Sequence, residues 1–371
     1  MTELNICPHS LSCPGCTDWP IPIEAQIDQK KQIVFDHLKP YLSNRLARKS
    51  SSGSALLSTT IDSAQAIESF SVGSGYHRVW FDLQFSASGL GLINKERQIV
   101  PIERCFLMSP ELQVLFSQLQ KLKFPDKKIS ARLRVSPTGR YGLWLDMANV
   151  DVKELLIEKQ FLNSLADLVD IIEIGQKRKK LIRAVAQDQQ YKLIDPELNP
   201  WFKTLGNTLY GHVGSFTQPS WKSADFITSL ILKWSAHFKN ITEYGSGIGQ
   251  YTIPLLANKS YVMVFENNPL AVEALKFNAK DFQQNLELNP KLENTKADLF
   301  LVNPPRSGLG DFAHKILVSE VARIIYISCS IESLSRDLLV LKEKYHVINL
   351  KLVDQFPNSK HFETCVLLEK I

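Results

Sequence analysis

The chain has 371 residues, of which 44% are hydrophobic and 22% are charged, so it is long enough for two domains and can bury a core. It contains no run of about 18 apolar residues, which excludes a membrane-spanning helix. Its first residues lack a basic segment followed by an apolar one, so we expect no export signal and a cytoplasmic location. The net charge of +5 permits a nucleic-acid partner without requiring one.

Basic residues concentrate in the N-terminal half of the chain. A single cluster is usually a solvated surface, but three clusters in one half favour contact with a polyanion there. The clusters are Lys121, Lys123, Lys127 and Lys128; Arg132, Arg134 and Arg140; and Lys177, Arg178, Lys179, Lys180 and Arg183.

The N-terminal half alternates helical, loop-like and strand-like patterns, which predicts an α+β region. In chain order we predict a helix over 24–47 that Pro40 breaks or bends, a serine-rich loop over 48–63, a strand-like run over 76–102, a hairpin of strands 131–136 and 141–146, and a helix over 152–166. The helix over 24–47 could pack back onto the C-terminal domain, which would make the domain boundary uneven.

After about residue 205 the pattern changes to alternating helices and strands. The predicted elements are a helix around 226–238, strands 261–266, 298–303 and 324–328, helices 269–279 and 311–322, and the closing strands 345–356 and 361–369. This alternation predicts a doubly wound α/β fold with a parallel sheet, and the two closing strands predict a terminal antiparallel hairpin. We therefore expect an N-terminal domain over 1–205 and a C-terminal domain over 206–371.

A glycine-rich loop, Gly245-Ser-Gly247-Ile-Gly249, begins this half. Its glycines permit a tight turn close to a ligand, and Glu266, at the end of the next strand, is placed to accept ribose hydroxyls. A nicotinamide cofactor would fit the loop as well. Asn303-Pro-Pro and the terminal hairpin favour an S-adenosylmethionine (SAM) methyltransferase instead. Arg306 stands where an aromatic residue marks methylation of amino groups, which disfavours an exocyclic amine as the acceptor.

Three of the six cysteines lie close together near the N-terminus, as Cys7-x5-Cys13-x2-Cys16. In a cytosolic chain this spacing is typical of a zinc or iron–sulfur site rather than of disulfides. Cys105 is the best candidate for a fourth ligand, and His9 could serve in a zinc site. The alternative is that these cysteines bind nothing.

Cys329 ends the apolar run Ile324-Ile-Tyr-Ile-Ser328. In an open α/β sheet ligands bind beyond the carboxyl ends of the strands, so this cysteine could be a nucleophile at a cofactor crevice. It could equally be a buried structural thiol. We expect Cys365 to pack inside its strand.

Several segments together resemble the RNA uracil-C5 methyltransferase family over nearly the whole chain, most closely its bacterial 23S ribosomal RNA members without an N-terminal OB-like domain. They are the three N-terminal cysteines, Gln98-Ile-Val-Pro-Ile-Glu-Arg-Cys105, Ser215-Phe-Thr-Gln218, Val302-Asn-Pro-Pro-Arg-Ser-Gly308, Ile325-Tyr-Ile-Ser-Cys329 and Phe356-Pro-Asn-Ser-Lys-His-Phe-Glu363.

The resemblance implies a SAM-dependent methyltransferase with a Rossmann-like sheet and an N-terminal iron–sulfur region, acting as a monomer on 23S ribosomal RNA or, alternatively, on transfer RNA. Cys329 would be the nucleophile and Glu363 the base. The cofactor contacts would be Gln218, Tyr244, Gly245, Gly247, Glu266 and Asn303, and a [4Fe–4S] cluster would be held by Cys7, Cys13, Cys16 and Cys105. Without the motif, Glu363 would be interpreted as a solvent-facing glutamate on an edge strand.

The chain departs from the family pattern at several positions. Ser330 replaces an asparagine after the cysteine, Glu243 replaces the aspartate that opens the glycine loop, and Ser246 replaces a cysteine within it. Pro219-Ser220 stands where an asparagine follows Gln218, and a basic strand is reduced to His77-Arg78. These differences bear on the identity of the substrate more than on the reaction, and a relative that binds RNA without catalysis is the rival hypothesis.

Overall fold

The structure is a computed structural model that describes residues 7–42, 61–124, 128–147, 159–175, 181–187, 190–289, 297–319 and 321–371. The described helices are α1 (Ile23–Leu38), α2 (Pro110–Leu119), α3 (Lys159–Ala166), α4 (Trp221–Ser235), α5 (Thr252–Ala257), α6 (Pro269–Asn278), α7 (Phe312–Ser319) and α8 (Ile331–Leu341). Short 3-10 helices cover Lys39–Tyr41, Ala64–Ala66 and Lys280–Asn285. Among these residues, no helix is both long and apolar enough to cross a membrane.

The described strands fall in three sheets. They are β1 (Glu68–Ser71), β2 (Trp80–Ser86), β3 (Gly89–Ile93), β4 (Ile99–Pro101), β5 (Ile129–Val135), β6 (Tyr141–Asp146), β7 (Ile171–Gly175), β8 (Leu181–Gln187), β9 (Gln190–Ile194), β10 (Asn199–Thr204), β11 (Asn207–Gly211), β12 (Asn240–Tyr244), β13 (Tyr261–Phe265), β14 (Leu286–Leu288), β15 (Leu299–Val302), β16 (Arg323–Ser328), β17 (Tyr345–Asp354) and β18 (Glu363–Lys370).

The chain forms two compact units. The first contains the described parts of 1–19 and 73–221, and the second those of 20–72 and 222–371. The described part of 20–72, which includes α1, therefore belongs to the same unit as the C-terminal half. The sequence instead predicted two continuous domains with one boundary at 205/206.

The first unit contains a mixed sheet in the order β4-β3-β2-β5-β6-β7-β8-β9 and a separate hairpin of β10 and β11. Apolar side chains of α2 and α3 join those of the sheet strands in its core, with Leu119 and Leu162 fully buried. The predicted hairpin of 131–136 and 141–146 is confirmed as β5 and β6, which pair antiparallel. The strand-like run over 76–102 is three short strands, because the turns after Ser86 and Ile93 reverse the chain.

The second unit contains a sheet in the order β1-β17-β18-β16-β15-β12-β13-β14. Of its described strands, β18 alone runs antiparallel to its neighbours; the other pairings are parallel. Every residue of β15 and β16 is buried, as expected for central strands of a parallel sheet that is covered on both faces. The predicted α/β sheet with a closing antiparallel hairpin is confirmed, and β18 lies inside the sheet rather than at its edge.

Helix α1 carries two polar side chains on its buried face, where Gln26 and Lys30 are spaced like the apolar Val34 and Leu38. Lys30 Nζ lies 2.8 Å from Asp354 Oδ1 at the end of β17, and both side chains are buried. Gln26 Nε2 donates to Asn358 Oδ1 at 3.1 Å, and its Oε1 accepts the backbone N–H of Asn358 at 2.7 Å. These contacts fix the loop after β17.

Other predictions were partly tested. The first predicted helix ends at Leu38 and continues as a 3-10 turn around Pro40, while 43–47 lie outside the described residues. The helix over 152–166 is described only as α3. Lys127, most of the serine-rich loop and the cluster from Lys177 to Lys180 lie outside the described residues.

Replacing Lys30 by methionine should destabilise the second unit by about 3–5 kcal/mol, because the substitution leaves the Asp354 carboxylate buried without its counter-charge. Urea denaturation of the full chain measures the change. Glu68→Gln is the matched control, since Glu68 is two-thirds exposed in its pair with Lys351, and should cost less than about 1 kcal/mol. Equal effects of the two substitutions would contradict the assignment of Lys30 as a structural anchor.

Candidate active site

The glycine loop follows β12 at the carboxyl edge of the second unit's sheet. Gly245 has φ 79°, and a Cβ there would lie 2.4 Å from the Asn303 carbonyl oxygen. The Asn303 N–H donates to the Tyr244 carbonyl at 2.9 Å, so the loops after β12 and β15 are joined backbone to backbone. This close approach requires glycine and brings the loop and the Asn-Pro-Pro motif to one point.

Glu266 lies directly after β13 and its carboxylate shapes the loop. Oε2 accepts the Gly247 N–H at 2.9 Å, and Oε1 accepts the Asn268 N–H at 2.8 Å. The Asn289 side chain in turn bonds the N–H and the carbonyl of Glu266. Since a carboxylate offers about four lone-pair sites, Glu266 keeps capacity for ribose hydroxyls while being held in place.

Glu243, one of the departures from the family pattern, is fully buried in β12. Its Oε2 accepts a hydrogen bond from Thr252 Oγ1 at 2.6 Å. Burial raises the pKa of Glu243 to about 7, and the nearby charge of Glu266 adds to the rise. A second carboxylate thus lies beneath the loop, away from solvent, and holds the start of α5.

The other predicted cofactor residues differ in their surroundings. Tyr244 stacks on Phe312 with ring centroids 4.3 Å apart. Asn303 is half-buried at the carboxyl end of β15. Gln218 belongs to the first unit, where it is buried and its carbonyl accepts a hydrogen bond from Trp80 Nε1. Its predicted role in cofactor binding therefore stays a prediction.

The strand pairing brings Cys329 and Glu363 together. In the antiparallel ladder of β16 and β18, Ser328 is opposite Thr364, so the next pair in that register is Cys329 and Glu363. Directly opposite residues point to the same face of a sheet, with Cβ atoms roughly 4.5–5.5 Å apart. Glu363 is 5% exposed on an internal strand, so its interpretation as a solvent-facing edge residue is wrong.

Opposing charges act on the Cys329 thiol, which is half-buried. Burial raises its pKa, and the Glu363 carboxylate raises it further, whereas the Arg306 guanidinium lowers it through its charge and a hydrogen bond. Arg306 follows Asn303-Pro-Pro at the carboxyl end of β15. It is the donor to the thiolate that the sequence could not specify.

The Glu363 carboxyl is held by an amide. Gln355 Nε2 donates to Glu363 Oε1 at 3.0 Å. Burial raises the pKa of Glu363 to about 7, and the Gln355 hydrogen bond and the Arg306 charge oppose that rise. A carboxyl with a pKa near neutrality can exchange protons at physiological pH, which suits a general base. Cys365, two residues further along β18, is fully buried, as expected.

The four N-terminal candidate ligands come together in the first unit. Cys7, Cys13, Cys16 and Cys105 line one cavity, closed by Trp19 and Phe106 among others. Burial raises the pKa of Cys16 to about 12, and the charges of Cys105, Cys13 and Cys7 add to the rise. The Arg78 guanidinium opposes the rise.

Among the described residues, no three His, Cys, Asp or Glu side chains are arranged to hold a single metal ion. His9 accepts the Glu103 N–H at its Nε2, which removes that nitrogen from a zinc site in this arrangement. Four cysteine thiols that line one cavity are the donor set that an iron–sulfur cluster would take.

Comparison with known proteins identifies the family. Residues 286–371 match the family model tRNA (Uracil-5-)-methyltransferase. An uncharacterized RNA methyltransferase of Bdellovibrio bacteriovorus is 33% identical over 98% of this chain and 95% of the relative. The 23S rRNA (uracil(1939)-C(5))-methyltransferase RlmD of Marinomonas posidonica is 27% identical over 98% of this chain and 81% of the relative. The chain belongs to the RNA uracil-C5 methyltransferase family.

A solved structure shares the fold of this RNA uracil-C5 methyltransferase. It is the Pyrococcus abyssi tRNA (uracil-54, C5)-methyltransferase in complex with S-adenosyl-L-homocysteine, with a TM-score of 0.69 and 18% identity over 96% of this chain and 86% of that chain. The likeness shows that the protein has a mixed α/β fold. Within the second unit the predicted Tyr244, Gly245, Gly247, Glu266, Asn303, Cys329 and Glu363 all lie at the carboxyl edge of one sheet.

Replacing Arg306 by methionine should raise the pKa of the Cys329 thiol, because the substitution removes both the positive charge and the hydrogen bond. Alkylation of Cys329 by iodoacetamide near pH 8, followed by peptide mass spectrometry, should slow roughly 3- to 10-fold.

Arg306→Lys, which keeps the charge, should retain part of the rate, and the buried Cys365 should stay unreactive in all variants. An unchanged alkylation rate for Cys329 in Arg306→Met would show that the guanidinium does not stabilise the thiolate.

Proposed function

We propose that this RNA methyltransferase transfers the methyl group of SAM to C5 of a uridine in RNA through a covalent adduct on Cys329. The observation that carries the proposal is the meeting of a thiol, a guanidinium and a buried carboxyl at one edge of the sheet that also bears the glycine loop. A module that only binds RNA does not need a buried carboxyl and a guanidinium beside a thiol. This arrangement therefore supports catalysis over the non-catalytic alternative.

The chemistry explains why a nucleophile is needed. C5 of uracil is too weakly nucleophilic to take a methyl group directly. The Cys329 thiolate adds to C6 and makes an enolate whose electron-rich C5 accepts the methyl group. Bound SAM would supply that group on a sulfonium sulfur, which leaves as a neutral thioether. Glu363 then removes the C5 proton, the C5=C6 double bond reforms, and the Cys329 thiolate leaves. Arg306 balances the negative charge that alternates between the thiolate and the carboxylate.

As cofactor contacts we propose the residues that the family resemblance implies, which are Gln218, Tyr244, Gly245, Gly247, Glu266 and Asn303. Glu266 supports the proposal most, because two backbone N–H groups orient its carboxylate where a ribose would need acceptors. Gly245 and Gly247 would let the cofactor approach the loop backbone closely.

For the RNA we propose 23S ribosomal RNA, with transfer RNA as the alternative. The relative from Marinomonas posidonica, which matches 98% of this chain, is named for 23S rRNA. The family model, which matches residues 286–371, is named for tRNA. The target uridine must leave its stack to reach a half-buried thiol, and that costs least for an unpaired nucleotide in a loop.

For the first unit we propose a [4Fe–4S] cluster on Cys7, Cys13, Cys16 and Cys105. The proposal is supported by the cavity that these four thiols line. No step of the methyl transfer passes through it, and its place in the cavity suggests that it braces the loop Cys7–Trp19 against the loop after β4.

The function is tested by mapping 5-methyluridine in 23S ribosomal RNA and transfer RNA from cells with and without the gene. We expect one 5-methyluridine in 23S ribosomal RNA to disappear without the gene, and to return with the parent gene but not with Cys329→Ala. Loss of a transfer RNA site instead would favour the alternative substrate. Identical maps with and without the gene would contradict the proposed reaction.

Replacing Glu363 by glutamine should let the methylated adduct form but not resolve, because no base removes the C5 proton. With unmodified RNA and SAM, denaturing gels should show a stable RNA–protein complex in Glu363→Gln and little in the parent protein. The matched control is Glu369→Gln on the same strand, whose carboxylate pairs with Arg323.

The parent enzyme should also lose turnover as the pH falls through about 7, since protonation of Glu363 removes the base. Turnover that stays constant from about pH 6 to pH 8 would contradict Glu363 as the base, as would an adduct in Glu369→Gln equal to that in Glu363→Gln.

Anaerobic purification of the full chain should give about four iron atoms per protein and the visible absorption of an iron–sulfur cluster. Cys105→Ala should lose iron and absorption, whereas Cys365→Ala should keep both, since Cys365 lies in β18 of the second unit. Stoichiometric zinc without iron in the parent protein would overturn the cluster.

A further inference from the structure

Gln355 connects the base to the scaffold with both ends of its side chain. It follows β17 directly and is fully buried. Its Nε2 donates to Glu363 Oε1 at 3.0 Å, and its Oε1 accepts a hydrogen bond from Ser223 Oγ at 2.7 Å. Ser223 is itself fully buried on α4. The order Ser223–Gln355–Glu363 fixes which end of the amide faces the carboxylate.

The backbone around Gln355 is fixed on both sides. Asp354, the residue before it, forms the buried ion pair with Lys30. Asn358, three residues after it, is bonded through its side chain and its N–H to Gln26. Gln355 therefore has little freedom to follow a moving partner, and it can impose an orientation on Glu363.

The hydrogen bond has two consequences for the carboxyl. It occupies Oε1, while Oε2 receives no hydrogen bond from the described residues, so Oε2 is the oxygen available for a proton. It also stabilises the ionised form, because an N–H donor favours a charged acceptor over a neutral one. Burial acts in the opposite direction on the same group.

We propose that Gln355 is a positioning residue for removal of the C5 proton, holding Glu363 with Oε2 toward the substrate carbon and in its ionised form. This inference rests on the proposed function, because it assigns a role within the step that Glu363 performs. In that step the C5–H bond breaks, its proton passes to Glu363 Oε2, its electron pair reforms the C5=C6 double bond, and the C6–S bond electrons leave with Cys329.

Other charged and titratable groups near Glu363 also interact with its carboxyl. Arg306, in the loop after β15, favours the ionised carboxyl. Burial raises the pKa of Cys329, after β16, and of Cys365, on β18, and the Glu363 charge raises both further. None of these donates to Oε1, so Gln355 is the residue whose removal would free the carboxyl to rotate.

The test variant is Gln355→Met, which keeps the side-chain length but removes the amide. Release of tritium from RNA labelled at uridine C5 reports removal of the C5 proton. It should slow by roughly 10-fold or more. The methylated RNA–protein complex should accumulate on denaturing gels, and the pH midpoint of tritium release should move upward. The rate of adduct formation on 5-fluorouridine RNA, which does not need the base, should stay within about twofold of the parent.

Ser223→Ala supplies a second, gentler variant, since it removes only the bond that orients Gln355. It should slow tritium release by a smaller factor and move the pH midpoint upward by a smaller amount. If Gln355→Met does not fold, Ser223→Ala is the variant that tests the inference. Tyr345→Phe, which removes a buried hydrogen bond to the Val321 carbonyl far along β17, is the control for loss of a buried polar contact.

Equal slowing of adduct formation and of tritium release would overturn the inference, because a merely structural defect affects both. Parent-like tritium release with an unmoved pH midpoint would overturn it as well. Failure of the proposed function looks different: the parent itself would then form no adduct on 5-fluorouridine RNA. An adduct in the parent and a stalled adduct in Glu363→Gln, with normal resolution in Gln355→Met, would reject only the role of Gln355.

Discussion

Strand β18 runs antiparallel between β16 and β17, and its pairing with β16 is the interaction on which the site depends. The ladder ends with Ser328 opposite Thr364, so the next residues, Cys329 and Glu363, lie near each other, and the Glu363 charge acts on the Cys329 thiol. A slip by one residue would turn Glu363 to the other face of the sheet and separate the two groups. The antiparallel insertion thus does more than finish the sheet, since it supplies the carboxyl that we propose as the base.

Burial gives this pair its chemistry. A carboxyl and a thiol that are both withdrawn from water each acquire a raised pKa, and the Glu363 charge raises the pKa of Cys329 further. Arg306 acts on both groups in the opposite direction and lowers the pKa of each. In the proposed reaction the thiolate is needed for addition to C6 and the carboxylate for removal of the C5 proton, which returns the negative charge to sulfur.

Much of the second unit could be predicted from the sequence because its strands are short apolar runs between helices. Strands β13, β15 and β16 lie within a residue or two of their predicted limits. The insertion of β18 between two strands could not be predicted in this way, since the local pattern of a strand does not specify its neighbours. For the same reason Glu363 without its motif would have been interpreted as an exposed residue.

The supporting residues escaped prediction for a related reason. Gln26, Lys30, Gln355 and Ser223 are polar residues at buried positions, where apolar periodicity gives no signal. Arg306 was identified from the sequence only because it stands in place of an aromatic residue. Its position after Asn303-Pro-Pro, at the carboxyl end of a strand, could have indicated that it lies near the site. Their roles come from partners 8 to 332 residues away along the chain, as for Gln355 with Glu363 and Gln26 with Asn358.

The claim that sulfur adds to C6 before methyl transfer can be measured directly with RNA that carries 5-fluorouridine. Fluorine at C5 cannot leave as a proton would, so the methylated adduct should persist on the parent protein through denaturation, and peptide mapping should locate it on Cys329. Cys329→Ala should trap no RNA, while Cys365→Ala should trap as much as the parent. Trapping by Cys329→Ala equal to that of the parent would contradict the account.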